Sequence, residues 1–525
     1  MPHSHRLARP SRAVFLACGF AASLLCLTVA TPAPAQDRSS GDLPAPPEPN
    51  REFRGVWVAT VANIDWPSEP GLSTAEAKRE LIAILDQTAE LNLNAVVFQV
   101  RPAGDAMYRS ELEPWSAWLT GEIGKAPSPR WDPLAFAVKE AHARGLELHA
   151  WFNPYRASHP SHTGEPVAPA LSVRRPELVK AYGPYLWMDP AEPEVQQHSL
   201  EVILDVVRRY DIDGVHMDDY FYPYPRRDNG EAVPFPDDRS WSRYRDAGGR
   251  LSRDDWRRKA VNDFVHELYA AVKAEKPHVK VGISPFGIYR PGRPAFIRGF
   301  DQYEQLYADP LLWFQQGWLD YLTPQLYWPI AKPDQSFTAL LQWWVDHNPA
   351  GRHVWPGIAS YRHYESPDRY PIEEFVHQVR WSRYLTEVSN GHIHFSMQWL
   401  MPGDERKALT DRLREAVYAE PALVPATPWS AEAVDAEPPA APTLRRVNVA
   451  DDRVRVLIDA DALDPDHGGR GLAQVRRGGT WHTATGLPGE RSLVVETPGG
   501  GEVEAVTARV LDRYGRLGDT ARRQP

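Results

Sequence analysis

Gly214-Val-His-Met-Asp-Asp-Tyr-Phe-Tyr-Pro-Tyr-Pro225 is a short apolar strand that ends in two adjacent aspartates and runs into aromatic residues and prolines. Alternation along the strand places His216 and Asp218 on one face, and Asp219 stands where the strand opens into a loop. Buried carboxylates must be paired with a partner or shift their pKa. The pair therefore indicates either an ion-pair network or acid–base chemistry.

Seven other stretches resemble this strand, and amphipathic helices separate most of them. All are short apolar runs without long polar interruption, as expected of parallel strands that are covered on both faces. The predicted strands are 54–61, 95–101, 146–153, 214–220, 279–286, 321–328, 354–361 and 392–399. Eight strand–helix pairs over about 370 residues predict an α/β fold, namely a (β/α)8 TIM barrel with enlarged loops. A doubly wound open sheet is the alternative, but no Gly-x-Gly-x-x-Gly turn or phosphate loop follows any strand.

The helices have readable ends. Ser73-Thr-Ala-Glu76 is a capping box that starts a helix to about residue 91. Asp132 and Pro133 supply an N-cap and a first-turn proline for a helix that Gly145 closes. Further helices are predicted at 192–210, 254–275, 371–388 and 404–419.

The barrel predicts where the chemistry lies, because catalytic groups in that fold come from the C-terminal ends of the strands. These ends are rich in polar and aromatic residues, and the long connections 155–190 and 221–253 are predicted walls or lids of a cleft. Asp218 and Asp219 are the predicted catalytic residues. The predicted substrate-binding residues are Asp65, Trp66, Arg101, Asp105, His149, Trp151, Asn153, His216, Tyr220, Tyr289, Gln325, Tyr327, Trp328, Gln398 and Trp399.

Several of these residues have a structural alternative. Arg101 could bind an acidic group of a substrate or hold Asp218 ionised, or it could belong to a structural ion pair. His149 and His216 could tune the aspartates or contact hydroxyls, or they could be buried and satisfied. The tryptophans could stack on sugar rings or belong to the core.

One histidine pair has the spacing of metal ligands. His392 and His394 are two residues apart, so they lie on the same face of the last predicted barrel strand. The sequence offers no recognisable carboxylate partner for them. We therefore predict no metal site and no cofactor.

Composition narrows the class of ligand. The chain has 525 residues and a net charge of −10, with acidic and basic residues intermixed, which does not favour nucleic acid or an anionic membrane as a partner. Nineteen Trp and 21 Tyr, many of them after predicted strands, supply faces for stacking on sugar rings. A neutral or mixed ligand such as a polysaccharide fits best.

The N-terminus is typical of a secretion signal. A basic segment with three arginines precedes the apolar run 13–30, and Ala33-Pro-Ala35 offers a cleavage site, so residues 1–35 are a predicted signal peptide and 36–50 a Pro-rich spacer. Export to the periplasm or cell envelope is predicted, with no transmembrane helix in the mature chain. Both cysteines, Cys18 and Cys26, lie inside the signal. Phe15-Leu-Ala-Cys18 faintly resembles a lipoprotein processing site, so lipid anchoring is the alternative.

The composition changes after the predicted barrel domain, 51–420. Residues 421–442 are dense in Ala, Pro and Glu and are a predicted linker. Residues 443–525 alternate in short β-prone pieces separated by turn signals. They predict a small β-sandwich similar to a fibronectin type III module, with a role in attachment or spacing.

Motifs across the barrel resemble one known family, the glycosyl-hydrolase-like family ten domain. They are Arg54-Gly-Val-Trp57, Phe98-Gln-Val-Arg101, His149-Ala-Trp-Phe-Asn-Pro154, Asp213-Gly-Val-His-Met-Asp-Asp-Tyr220, Gly282-Ile-Ser-Pro285, Asp320-Tyr-Leu-Thr-Pro-Gln325 and Tyr327-Trp328. The family includes a bacterial divisome-localised hydrolase that cuts peptidoglycan glycan strands stripped of their stem peptides. The resemblance therefore implies a TIM-barrel glycosidase of the cell envelope, with a glycan strand as substrate and a cell-division or envelope protein as a candidate partner.

Two mechanisms fit such a glycosidase. In the first, one of Asp218 and Asp219 is nucleophile or stabiliser, and an acid such as Asp65 or Asp105 comes from another loop. In the second, which we favour, one aspartate of the pair polarises the 2-acetamido group of the sugar and its neighbour is the general acid. Two other classes remain open, a metal-dependent polysaccharide deacetylase or amidase and a non-catalytic glycan-binding protein.

Overall fold

The computed structural model describes residues 45–524, apart from 163, 366–368, 387–389, 405, 431–434, 436 and 465–466. The predicted signal peptide and most of the predicted spacer lie outside the described residues. Within the described part of the chain, no helix combines the length and hydropathy needed to cross a membrane.

Nine short strands of the described residues form one parallel sheet. They are β1 (Phe53–Val58), β2 (Ala95–Arg101), β3 (Glu147–Phe152), β4 (Gly214–Met217), β5 (Lys280–Ile283), β6 (Tyr321–Leu322), β7 (His353–Val354), β8 (Gly357–Ile358) and β9 (Gly391–His394). Their order is β7-β6-β5-β4-β3-β2-β1-β9-β8. Strands lie within or next to all eight predicted stretches, but most end earlier than predicted, because the residues that follow leave the ladder to form the rim.

The first and last strands in this order, β7 and β8, are neighbours in the chain and lie within residues 353–358. β7 pairs with β6, and β8 pairs with β9. Between them the Trp355 N–H donates to the Leu322 carbonyl at 2.9 Å, and the Pro356 carbonyl accepts from the Ile393 N–H at 3.0 Å. The sheet is therefore TIM-barrel-like, with side chains pointing into a central lumen.

Helices follow most of the strands. The α-helices of the described residues are Thr74–Glu90, Ala117–Thr120, Pro133–His142, Leu171–Arg174, Pro193–Arg209, Asp238–Asp246, Arg253–Glu275, Gln302–Gln305, Pro310–Gln315, Phe337–Asp346, Ile372–Leu385 and Lys407–Ala416. Leu81 and Ile84 of the first helix share one core cluster with Phe98 of β2. The predicted caps are confirmed: Ser73 forms a capping box with Glu76, and the Asp132 carboxylate accepts from the Ala135 N–H at 3.1 Å.

The long connections carry short strands of their own. In the first connection, strands Arg156–Ser158, Val179–Tyr182 and Tyr185–Met188 form a three-stranded sheet. In the second, Arg226–Asp228 and Glu231–Val233 form a hairpin. These segments follow β3 and β4, so they stand beside the C-terminal ends of the barrel strands.

The described C-terminal residues form mainly β-strands. Its strands are β10 (Thr443–Val449), β11 (Arg453–Asp459), β12 (Arg470–Arg477), β13 (Thr480–Pro488), β14 (Ser492–Glu496), β15 (Val503–Leu511) and β16 (Ala521–Arg523). They form two sheets, β10-β11-β14 and β13-β12-β15-β16, around one apolar cluster. The likeness to a fibronectin type III module stays a prediction.

The C-terminal β part contacts the N-terminal end of the barrel. Arg470 donates to the Gly145 carbonyl at 3.3 Å, and Arg513 pairs with Asp211. In the predicted linker, the Trp429 indole N–H donates to a carboxylate oxygen of Asp320 at 2.7 Å. Trp429 therefore lies against the barrel.

Candidate active site

Asp218 and Asp219 directly follow β4, at the C-terminal end of the barrel strands. Both are buried, with 6% and 3% of their surface exposed. They line a cavity of about 300 Å³, and no other carboxylate of the described residues lines it. The remaining lining residues are Trp57, Ala59, Val61, Ile64, Gln99, Trp151, Arg156, His159, Tyr220, Ser284, Gln325, Tyr327 and Phe395.

A chain of side-chain amides orients the first aspartate. Asn153 Nδ2 lies 2.9 and 2.8 Å from the two carboxylate oxygens of Asp218. Gln99 Nε2 donates to Asn153 Oδ1 at 2.7 Å, and Gln99 Oε1 accepts from the backbone N–H groups of Thr60 and Val61 at 2.9 Å each. Because a backbone N–H can only donate, both amides have a fixed orientation, and Asn153 presents its NH2 group to the carboxylate.

Burial and mutual repulsion change the acidity of the pair. Burial, with the nearby Asp219 charge, raises the pKa of Asp218 to about 7, although Arg156 and the Asn153 amide act in the opposite direction. Burial also raises the pKa of Asp219, opposed by a hydrogen bond from the Tyr224 hydroxyl. The pair therefore holds a proton near neutral pH and titrates as one unit.

Two residues beside the aspartate pair were not predicted from the sequence: Arg156 lines the cavity, and Tyr224 contacts Asp219. The Arg156 guanidinium lies 4.6 Å from the ring centre of Tyr220 and donates to the Pro102 carbonyl at 3.2 Å. Tyr224 binds Asp219 from five residues further along the chain. The available signals were weak: Arg156 closely follows a family-like motif, and Tyr224 belongs to the aromatic run after the aspartates.

The family model described as Glycosyl hydrolase-like 10 matches residues 52–369, which include β1 to β8 and the aspartate pair. The chain belongs to the glycosyl hydrolase-like 10 family. The glycosyl hydrolase YngK of Bacillus subtilis (strain 168) is 41% identical over 412 residues, covering 76% of this chain and 77% of that protein. The glycosyl hydrolase DigH of Escherichia coli (strain K12) is 35% identical over 340 residues, covering 60% of this chain and 74% of that protein.

A solved structure of the PgaB (BpsB) glycoside hydrolase domain from Bordetella bronchiseptica is also similar. It is 14% identical, with a TM-score of 0.46, and the match covers 70% of this chain and 99% of that chain.

Six of the residues predicted from the sequence to form the site line the cavity, and two more lie directly behind the lining. The lining residues are Trp151, Asp218, Asp219, Tyr220, Gln325 and Tyr327. Asn153 holds Asp218, and His216 Nε2 lies 3.0 Å from Ser284 Oγ. The structure therefore brings together side chains from β3, β4 and the ends of β5 and β6.

The two other candidate acids are held away from the cavity lining. Asp65 accepts hydrogen bonds from Ser396 Oγ at 2.8 Å and the Gln398 N–H at 2.7 Å, and burial raises its pKa to about 6. Asp105 is fully buried and lies 3.1 Å from His162 Nε2. Gln398 thus meets Asp65 through its backbone.

Arg101 forms the structural ion pair rather than a contact with Asp218. Its Nε donates to Glu113 Oε1 at 2.9 Å, and its Nη1 donates to the Asn153 carbonyl at 2.6 Å. The guanidinium therefore supports the backbone of Asn153 from behind.

Five further predicted substrate-binding residues do not line the cavity, and each contacts other protein groups. Trp66 donates a hydrogen bond to the Ala77 carbonyl, and Tyr289 donates one to Asp309. His149 contacts Tyr321 and Glu147, Trp328 packs on Phe286, and Trp399 stacks on Tyr364. A contact between these residues and a ligand stays a prediction.

Trp151 differs from these tryptophans. It lines the cavity, is only 5% exposed, and its indole Nε1 has no hydrogen-bond partner among the described residues. A buried N–H without a partner is costly. An acceptor atom of a ligand in the cavity would satisfy it.

The histidine pair of the last strand shares a tyrosine. His392 Nε2 and His394 Nε2 lie 2.5 and 2.7 Å from Tyr418 Oη. In the part of the chain that the structure describes, no group of three or more His, Cys, Asp or Glu side chains is arranged to hold a metal ion.

Proposed function

We propose that this chain is an exported glycosidase that cleaves glycosidic bonds of bacterial cell-wall glycan strands, with Asp218 and Asp219 as its catalytic residues. The observation that carries the proposal is the buried carboxylate pair, which lines the cavity at the end of β4. Membership of the glycosyl hydrolase-like 10 family supports the reaction class.

Glycoside hydrolysis needs two events: protonation of the leaving-group oxygen and attack on the anomeric carbon. The pKa of about 7 for Asp218 means that the pair can deliver a proton at neutral pH. In the substrate-assisted form, one carboxylate polarises the 2-acetamido N–H, and the amide oxygen bonds to the anomeric carbon as the bond to the leaving oxygen breaks. The other carboxylic acid gives its proton to that oxygen. Water then opens the cyclic intermediate.

The form with an acid from another loop has less support. Neither Asp65 nor Asp105 is among the residues that line the cavity. Both carboxylates are already bound by protein groups. We therefore favour division of the two roles within the pair.

The proposed substrate class is a peptidoglycan glycan strand without stem peptides, as the family resemblance implies. Its sugars carry the 2-acetamido group that the mechanism uses. We further propose that the protein acts in the periplasm or cell envelope, and that a fibronectin type III-like C-terminal module serves for attachment or spacing.

The test compares three substrates: peptide-free glycan strands, the same strands after chemical removal of the N-acetyl groups, and strands that retain their peptides. We expect new reducing ends only from the first, and inhibition by a thiazoline analogue of the cyclic intermediate. Cleavage of the de-N-acetylated strands would contradict substrate assistance. Release of acetate without new reducing ends would contradict the glycosidase and favour a deacetylase.

A further inference from the structure

A file of hydrogen-bonded side chains runs through the barrel lumen, away from the cavity. Ser284 Oγ lies 3.0 Å from His216 Nε2, His216 Nδ1 3.0 Å from Tyr321 Oη, Tyr321 Oη 2.8 Å from His149 Nδ1, and His149 Nε2 3.0 Å from Glu147 Oε2. We call these five residues the lumen file. Ser284 lines the cavity of the aspartate pair, whereas Glu147 is the first residue of β3, at the opposite end of the barrel.

Trp57 fixes the direction of the file at the cavity end. Its indole Nε1 lies 3.2 Å from His216 Nε2. Because an indole N–H only donates, His216 Nε2 must be the acceptor. Burial lowers the pKa of His216 well below its usual value, so the ring is neutral and its single hydrogen is on Nδ1. That hydrogen points to the hydroxyl oxygen of Tyr321.

At the end of the lumen file away from the cavity, Glu147 sets the same direction of hydrogen-bond donation, from Ser284 towards Glu147. Lys280 Nζ lies 2.9 and 3.1 Å from its two carboxylate oxygens. Burial alone would raise the pKa of Glu147, but the Lys280 ammonium holds it below the usual value. An ionised carboxylate only accepts, so His149 donates to it from Nε2. The oxygen of the Tyr321 hydroxyl accepts from His216 Nδ1, so the hydroxyl gives its own hydrogen to His149 Nδ1.

The barrel sequence leaves room for these rings. A Cβ atom at Gly214 would overlap the imidazole of His149, and a Cβ at Gly282 would overlap the phenol ring of Tyr321. Both glycines lie in strands next to the ring that they accommodate. Any other residue at these two positions would displace the file.

We propose that the lumen file holds Ser284 Oγ as a hydrogen-bond acceptor for a donor group, a hydroxyl or an amide N–H, of the sugar in the cavity. The polar atoms behind Ser284 Oγ are both acceptors, His216 Nε2 at 3.0 Å and the Met217 carbonyl at 3.4 Å. The serine hydrogen is therefore directed into the protein, and the oxygen lone pairs remain for the cavity. Ser284 is a specificity-determining residue, and His216, Tyr321 and His149 are positioning residues.

The direction of the file can be tested without any substrate. Imidazole ¹⁵N NMR of the full chain, with His216→Gln and His149→Gln used for assignment, should show hydrogen on Nδ1 of His216 and on Nε2 of His149. Tyr321→Phe should leave both tautomers unchanged, because Trp57 still donates to His216 Nε2 and Glu147 still accepts from His149 Nε2. The opposite tautomers, or a charged His216, would overturn the proposed direction.

The role of Ser284 is tested by kinetics, and this arm rests on the proposed function. Loss of one hydrogen bond predicts a KM raised about three- to tenfold in Ser284→Ala, with kcat changed less than about twofold. Tyr321→Phe removes the acceptor that positions the His216 ring, so it should raise KM by no more than Ser284→Ala does. The double variant should add little to Ser284→Ala, because both changes act on the same contact between Ser284 Oγ and the sugar. Deoxy and N-alkylated sugar analogues identify the donor: the correct analogue abolishes the difference between wild type and Ser284→Ala.

Tyr418→Phe is the matched control, since Tyr418 also bridges two buried histidines but lies outside the cavity lining. It should cost stability and leave KM unchanged. An equal rise of KM in Tyr418→Phe, or an unchanged KM in Ser284→Ala, would overturn the proposal. A wild type without glycosidase activity would instead contradict the proposed function, and the NMR result would still decide the direction of the file.

Discussion

Asn153 places one amide nitrogen within 2.9 Å of both carboxylate oxygens of Asp218. The backbone of Thr60 and Val61 sets the direction of that amide through Gln99. The contact favours the ionised carboxylate, so it limits how far burial raises the pKa of Asp218. The acidity of the pair is thus a balance between burial and one preorganised donor.

Removing this donor should move the pH profile. In Asn153→Ala we expect the pKa of Asp218 to rise further, so the basic limb of kcat/KM moves to higher pH and kcat falls about tenfold. Asn94→Ala is the control, because Asn94 donates to the Glu52 and Ala422 carbonyls and is not a lining residue of the cavity. A basic limb at the same pH in both variants would show that Asp218 does not control the rate.

The raised pKa also predicts how stability depends on pH. A carboxyl group whose pKa is raised on folding, here from 3.8 to about 7, stabilises the fold fully below the lower value and loses that contribution as pH rises through the higher one. Asp218 should therefore lower the free energy of unfolding between pH about 4 and pH about 7, by at most about 1.4 kcal/mol per unit of pKa shift. Buried histidines with a lowered pKa, such as His216, contribute with the opposite sign, so the comparison is between wild type and Asp218→Asn, whose slope should be less negative than that of wild type. Denaturant titrations across that range measure it, and an unchanged slope would contradict the assignment.

Much of the fold was readable from the sequence because it depends on local patterns. Apolar runs predict the strands, and capping residues such as Ser73 and Asp132 predict the starts of helices. The adjacent aspartates were predicted for the same reason, since two carboxylates at the end of a strand are a local signal. The contact between Tyr224 and Asp219 was indicated only by the run of aromatic residues and prolines, 220–225, that follows the aspartates.

Contacts between distant segments could not be predicted in this way. Arg101 was a candidate for the substrate, but Glu113 reaches it through a loop whose path the sequence does not reveal. Likewise, His149 and His216 were predicted either to act on the ligand and the aspartates or to be buried and satisfied. Their shared partner could not be predicted, because Tyr321 lies between them only through the packing of three strands around one lumen.

Trp151 should contribute to binding through its N–H rather than through its ring face. Trp151→Phe keeps most of the apolar surface but removes the unpartnered donor, so we expect KM to rise about three- to tenfold with kcat nearly unchanged. Trp66→Phe is the control, because that indole N–H is bound to the Ala77 carbonyl. Steady-state kinetics on soluble oligomers distinguish them, and equal KM values for Trp151→Phe and wild type would exclude the contact.

Activity should not require a divalent ion. The proposed mechanism uses two carboxylic groups and the substrate amide, so prolonged treatment with a chelator should leave the rate of glycan cleavage within about twofold of the untreated enzyme. Loss of activity that Zn²⁺ or another divalent ion restores would instead indicate metal-activated water.

The most direct test of the account digests peptide-free peptidoglycan strands with wild type, Asp218→Asn and Asp219→Asn, with product ends read by mass spectrometry. We predict that wild type produces new reducing ends and that each variant, folded as judged by circular dichroism, is slower by about 10²- to 10⁴-fold. Cleavage by both variants at the wild-type rate, or intact strands after digestion with folded wild type, would contradict the central claim.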